Sequence, residues 1–261
     1  MGKIKFLAAA AMLAVCSSAS AQFSNSKGGS QSSSVDGKGW STIYVQYNPS
    51  TISIDVTGAD DENFNAFTVG YNRAISISGS APLYVELGGA LQYSFKSKDM
   101  LDEWADGTDV DADQLGKYMD PKEKFNMLSL KVPVSIMYDW KINNSNVHIA
   151  PFAGITMRYN IFGNKKMEYN FDSDFKKYLI DEYGKKDFEE KFSEESLDLF
   201  DKKDMGSKDA TWNRFQFGWQ LGVNARFNDK FLIGASYGSD FSEIYKKAKI
   251  SAWSIQLGYT F

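Results

Sequence analysis

From residue 40 to the C-terminus, apolar and polar residues alternate along the chain with a period of two. That is the spacing of β-strands with two unlike faces. The last stretch is the clearest. Trp253, Ile255, Leu257, Tyr259 and Phe261 share one face, and Ala252, Ser254, Gln256, Gly258 and Thr260 share the other. The bulky apolar face is continuous, and the small polar face is the one an ordinary core would have to bury. Similar segments span about 40–47, 64–77, 83–95, 128–140, 147–161, 212–227 and 231–241. In 83–95, Leu83, Val85, Leu87, Leu91, Tyr93 and Phe95 oppose Tyr84, Glu86, Gly88, Gln92 and Ser94. Pro133 interrupts 128–140 and cannot donate to a ladder, so a bulge is expected there. Arg73 falls on an apolar face but near a strand end, where its long side chain can reach headgroups.

The connections sort by length. Residues 78–82, 141–146 and 228–230 are tight, whereas 48–63, 97–124, 162–211 and 242–249 are long. A soluble sandwich has no reason to alternate short and long connections. An up-and-down barrel in a membrane does, with short turns on the periplasmic side and long loops outside. The expected fold is therefore all-β: an eight-stranded antiparallel up-and-down transmembrane β-barrel over 40–261. Two of its extracellular loops (97–124 and 162–211) are much longer than the rest.

The terminal Tyr259-Thr260-Phe261 resembles the end of bacterial outer-membrane β-barrels. Leu130-Lys131-Val132-Pro133-Val134, followed by Ser135-Ile136-Met137-Tyr138, resembles the small PorT-like and OmpA/OmpX-like barrel family. The resemblance covers 40–261. It implies an integral protein of the Gram-negative outer membrane, with both termini periplasmic and with lipid and lipopolysaccharide around it. It also implies that the barrel-assembly machinery reads Tyr259 and Phe261. The motifs are degenerate and speak for fold and location rather than for any activity.

The N-terminus agrees on compartment. Lys3 and Lys5 precede the apolar run from Phe6 to Val15, and Ala19-Ser20-Ala21 supplies small residues for cleavage. Residues 1–21 are thus expected to be a secretory signal peptide, with Gln22 the first mature residue. Residues 22–39, rich in Ser and Gly, are expected to form a flexible periplasmic leader. Cys16 is the only cysteine, and if it leaves with the signal, thiol chemistry leaves with it. A lipoprotein cleavage before Cys16 would want a small residue where branched Val15 stands. The formal charge of −4 speaks against nucleic acid as a partner. Aromatic content of 15% suits a barrel with aromatic girdles.

Eight strands enclose a lumen that side chains fill. Glycines on the inward face (Gly70, Gly88, Gly154, Gly218, Gly222, Gly234, Gly238, Gly258) leave room for Glu86, Lys131, Asp139, Arg158, Arg214 and Arg226. Glu86 and Asp139 are expected to meet Arg226 or Lys131, because charges at bilayer depth must be paired or wet. An ion-selective pore lined by the same charges is the competing reading.

His148, the only histidine, opens a strand at the periplasmic turn, away from the outer rim where barrel enzymes work. Asp139 and Ser145 are close in sequence but on other elements, so a polar rim or lumen role is expected. Asp109-x-Asp111-x-Asp113 resembles the start of a calcium loop. However, Gln114 stands where the turn glycine belongs and Asp120 where the bidentate Glu belongs. No catalytic, cofactor-binding or metal-binding residue is expected.

Phe175, Tyr178 and Leu179, then Phe188, Phe192 and Leu199, have helical spacing around Gly184. The loop 162–211 is therefore expected to be helical, with an apolar stripe seeking the barrel mouth, the headgroups or a partner. The expected function is non-enzymatic: a scaffold presenting loops for surface interaction or envelope structure, with an extracellular or envelope protein partner at 162–211. A small porin or the barrel subunit of a transport or secretion assembly is the first alternative, and an outer-membrane enzyme the second.

Overall fold

The computed structural model describes residues 39–106, 111–193 and 196–261. The expected signal peptide and cleavage site, Cys16, nearly all of the leader, and Asp109 lie outside them. The strands are β1 (Ser41–Ile54), β2 (Glu62–Ser76), β3 (Leu83–Asp99), β4 (Met119–Tyr138), the short β5 (Trp140–Lys141), β6 (Val147–Phe171), the short β7 (Ser196–Asp198), β8 (Phe215–Phe227), β9 (Phe231–Asp240) and β10 (Ala248–Thr260). The chain divides into two compact units. The first holds residues up to Tyr93, Leu128–Ile161 and Trp212–Phe261, and the second Ser94–Met127 and Phe162–Thr211.

The first unit is the barrel. Each long strand pairs with its neighbours in sequence, in the order β4-β3-β2-β1-β10-β9-β8-β6, and β4 pairs with β6 to close a ring of eight. The seam between first and last strands keeps one register from Thr42 opposite Thr260 to Ile54 opposite Ala248, interrupted at Asn48 and Pro49. It ends in reciprocal bonds of 2.9 Å between the backbones of Ser41 and Phe261. A closed ring is the only sheet that leaves no backbone edge facing lipid. Tight turns support it. Asn228 and Asp229 both take positive φ (51° and 57°), the conformation of the two-residue turn whose twist matches a hairpin.

The faces are inverted relative to a soluble protein. Val69, Val45, Leu257, Ile233, Ala225 and Ile149 form one outward row across six strands. Among the exposed apolar residues are Ile255 at 60% and Val69 at 58%, while Thr68, Asn48, Gln216 and Asn224 are buried inside. Aromatic residues border the aliphatic band. Phe231 meets Tyr259 near the turns (5.9 Å), and Tyr47 meets Phe67 (5.4 Å) and Tyr237 meets Trp253 (4.9 Å) nearer the loops. Such a belt fits a lipid environment. No helix among the described residues is long and apolar enough to cross a membrane.

Two expectations need correction. The strands outrun their predicted ends: β1 continues to Ile54, β3 to Asp99 and β6 to Phe171, while β4 begins at Met119 and β10 at Ala248. The long connections are correspondingly shorter than 48–63, 97–124, 162–211 and 242–249. Beyond the lipid neither face must be apolar, so the alternation that marks a strand fades before the strand does. Nor does Pro133 insert a residue: Met127 and Ser129 before it and Ser135 and Met137 after it are all buried, with the same parity. The parity instead slips in β6, between buried Asn160 and buried Gly163. Arg73 stands near the strand end as expected, and its guanidinium donates to Ser41 Oγ at 3.0 Å, which helps fasten the seam.

Inside, two glycines are required by close approach. A Cβ at Gly70 would sit 2.5 Å from the Tyr44 ring, and one at Gly88 would sit 1.8 Å from Asn72 Oδ1 and 2.6 Å from the Tyr71 carbonyl. Gly88→Ala should therefore lower the yield of folded, heat-modifiable barrel on gels run before and after boiling. Gly79→Ala, where a Cβ meets nothing within 4 Å, should not; equal yields would show that the lumen accommodates the added methyl.

Candidate functional site

Three clusters of chemistry-bearing residues stand out: two in the lumen and one within the loop-borne unit.

The first closes the turn end of the barrel. Trp40, Ala74, Tyr84, Met137 and Ala150 form a buried apolar cluster with Phe152 against it, and the Trp40 and Tyr84 rings lie 4.5 Å apart. The Arg226 guanidinium lies 3.9 Å from the Trp40 ring centroid, a cation–π contact that water does not weaken. Arg226 also donates to Asp139 Oδ2 at 2.8 Å. His148 Nδ1 lies 2.8 Å from the same oxygen and 3.2 Å from Arg226 Nη2, while its Nε2 is 3.4 Å from Asp229.

Asp139 and His148 therefore meet, against the sequence reading that set them apart on separate elements. Trp140 pairs with Ile149 and Lys141 with His148 across the turn, which brings the residue before β5 to the histidine. Ser145 does not join them; its hydroxyl donates to the Ile142 carbonyl at 2.9 Å and caps the turn. The histidine's ring nitrogens thus face two carboxylates and a guanidinium, with no nucleophile among these contacts. Trp40 Nε1, Arg226 Nε and Asp139 Oδ1 are buried without protein partners. Two donors and one acceptor in one cluster match the needs of a buried water.

The second cluster lies further along the lumen. Arg158 forms an ion pair with Asp240 and, with Asn160, bonds Gln216. Ser129 bonds Asn160 at 2.7 Å. Lys131 sits beside them, with Thr156, Ser236 and Ser254, around a cavity of about 50 Å³. The expected network is thus only half right. Asp139 takes Arg226, but Glu86 takes Asn72 at 2.9 Å instead of a cation. Lys131 belongs with Arg158, because β4 closes the ring against β6.

The third cluster belongs to the loop-borne unit, which contains α1 (Leu101–Asp106), α2 (Ala112–Leu115), α3 (Ser173–Tyr183) and α4 (Lys185–Lys191). Asp172 caps α3 by accepting from Asp174 and Phe175 amides, and Gly184, at φ 84°, separates α3 from α4. The expected apolar stripe is covered from within the unit at Phe175, Leu179, Phe188 and Phe192, but Tyr178 stays exposed and Leu199 follows β7 rather than a helix. Phe171, at the end of β6, lies 5.4 Å from Phe188, 5.0 Å from Phe192 and 6.3 Å from Phe175. Tyr169 adds Phe192 at 5.6 Å and Trp104 at 5.4 Å.

Ion pairs Lys124–Glu168 (2.6 Å) and Lys165–Glu123 (2.7 Å) tie the strand extensions. The Lys124 ammonium, by hydrogen bonding, holds the Glu168 carboxyl below its usual range. That tie is present above the ordinary glutamate range and loosens as pH falls through the lowered value. Asp111, from the calcium-like run, accepts from the Asp113 amide as the N-cap of α2, and Asp120 pairs with Lys122 at 2.5 Å. No group of metal-ligating side chains occurs among the described residues.

Comparison with known proteins returns structures but no sequence family. No family model matches, and no curated protein matches. The attachment invasion locus protein Ail of Yersinia pestis, solved with the heparin analogue sucrose octasulfate, is 17% identical and aligns over 86% of this chain and 99% of its own, with a TM-score of 0.39. Neisserial surface protein A is 11% identical over 85% of this chain and 97% of its own, at 0.40. The outer-membrane enzyme PagL is 8% identical over 82% and 97%, at 0.39.

Two outcomes check the clusters. Arg226→Met should cost roughly 3–5 kcal/mol, because it leaves Asp139 buried without its cation, and the double variant with Asp139→Leu should recover most of that loss. Urea unfolding in detergent reads both, and a double variant no better than the single would deny the pairing its role. Phe171→Ala should cost about 3–5 kcal/mol of local stability. It should open α3 and α4 to trypsin while the barrel stays heat-modifiable; resistance equal to the wild type would show that Phe171 is not central to this core.

Proposed function

We propose that this protein is an integral outer-membrane β-barrel, with both termini in the periplasm, and that it works without catalysis. In this reading the barrel is a plugged scaffold, and the unit built from 94–127 and 162–211 makes the surface contacts with an extracellular or envelope protein. The observation that carries the reading is the loop unit's own aromatic core, from Trp104 through Tyr169 and Phe171 to Phe192. A loop that only connects strands has no need of such a core, and long structured loops are where recognition concentrates. Aromatic side chains also remain on its surface: Tyr118, Tyr178 and Tyr183 are 48%, 59% and 56% exposed. Tyr118 and Tyr178 both flank Phe175, at 5.1 and 6.3 Å. Exposed tyrosines on a rigid support are favoured contact residues at protein interfaces.

The porin alternative finds less support, because the apolar cluster around Trp40 and Tyr84 fills the turn end of the lumen. In the enzyme alternative His148 would need a nucleophile, and its contacts are carboxylates and a guanidinium.

Replacing 165–209 by a short Gly-Ser link should leave a heat-modifiable barrel in the outer-membrane fraction. The same variant, and Tyr118→Ser with Tyr178→Ser, should lose the partner that the wild type retains in pull-downs from intact outer membranes. A deletion that fails to fold would make the helices a structural requirement of the barrel. Stable unitary conductance of the wild type in a planar bilayer would replace the plugged scaffold with a pore.

A further inference from the structure

In the lumen, Lys131 has no counter-charge of its own among the described residues. Ser129 bonds Asn160, and Gly154 lies against Val134 and Ser135. In an antiparallel β4–β6 pair those two fixed points set Lys131 opposite Arg158. Like charges directly opposite one another are destabilising, and the low-dielectric lumen sharpens the repulsion. Asp240 is the carboxylate lining their shared cavity, and it is engaged by the Arg158 guanidinium. Lys131 has no hydrogen-bond or ion-pair partner among the described residues. Two positive groups and one negative group leave the cluster with an excess positive charge.

The rest of the lining suits an anion. Thr156, Ser236 and Ser254 contribute hydroxyls, each able to turn its proton toward a negative guest. Ser254 also accepts from the Asn48 amide at 2.6 Å, which leaves its own proton free to point elsewhere. The space open to the centre of a water-sized sphere is about 50 Å³. That is several times the ~10–15 Å³ that one water needs on the same measure, so a halide ion fits.

We propose that this cavity is a lumenal site for a small inorganic monoanion of the halide class, held by the Lys131 ammonium and the hydroxyls of Thr156, Ser236 and Ser254. The anion neutralises the excess charge that Lys131 and Arg158 place side by side, and so joins β4 to the β8–β10 side of the lumen. The site requires the closed barrel but is independent of the proposed surface role.

Bromide is the probe. In crystals of the detergent-solubilised full chain grown in sodium bromide, anomalous scattering should show a peak within hydrogen-bonding reach of Lys131 Nζ. In solution, the ³⁵Cl line broadening caused by the folded protein should be displaced by bromide. Lys131→Met should remove the peak and weaken binding by on the order of tenfold or more, as expected for losing a charge-assisted contact. Lys122→Met, in the loop-borne unit, should leave both readouts unchanged. Where Lys131→Met does not fold, Lys131→Gln takes its place, and the wild-type peak alone still decides. Absence of a wild-type peak, a peak that survives loss of the lysine, or a Lys131 ammonium bonded directly to Asp240 would each overturn the assignment.

Discussion

In hydrocarbon, a backbone amide or carbonyl without a partner costs several kcal/mol, and water is not there to supply one. The whole molecule depends on this constraint. It forces β1 onto β10 in one register from Thr42 to Ile54, and it makes the Ser41–Phe261 backbone exchange the last stitch of the ring. Closing the ring with only eight strands leaves a narrow interior, so the inward faces must be small where neighbours are long. Gly70 gives way to the Tyr44 ring, and Gly88 to Asn72. The polar lumen follows from the same closure. With the apolar residues committed to the lipid face, hydrogen bonds and ion pairs hold the interior, as in Asn48–Ser254, Ser135–Gln220 and Asn224–Gln256.

How much of this could be read in the sequence depended on what each part of the chain must satisfy. Lipid imposes strict alternation, so Trp253 to Phe261 announced the fold and the direction of every side chain on that strand. Beyond the lipid the demand lapses, and the extensions of β4 and β6 carry Glu123, Lys124, Lys165 and Glu168 in ion pairs rather than an apolar stripe. Their strand character was therefore hidden. The helices of 162–211 were legible because they bury one face, and a buried face leaves a 3.6-residue period wherever it occurs. What the stripe packs against was not legible. Phe171 and Tyr169 are strand residues, and no period connects them to Phe188 and Phe192.

The expected partner of Glu86 failed in sequence for a different reason, while that of Asp139 held. Alternation says that Glu86, Lys131, Asp139, Arg158 and Arg226 point inward, but not at what height. Height follows from register, and register around a closed ring accumulates strand by strand. Asp139 reaches Arg226 because both lie near the turn end, whereas Lys131 lies far enough along β4 to face Arg158. His148 was placed correctly at the turns, yet its contact with Asp139 required the β5–β6 hairpin, which two residues of ladder define.

The molecule thus contains two cores built on opposite rules. In the barrel, apolar residues face outward and the interior is held by oriented polar contacts that tolerate few substitutions of shape. In the loop unit, aromatic rings pack inward and exposed ion pairs lie on the surface, each worth about 0–1 kcal/mol at most, as in any water-soluble fold. Such a division lets the two evolve under separate constraints. Tyr118 and Tyr178 belong to the loop unit, so changes there leave the barrel's own seam and lumen bonds as they are. Changes at Gly88 or Arg226 cannot be absorbed in this way, because Asn72 has already taken the space beside the first and Asp139 depends on the charge of the second.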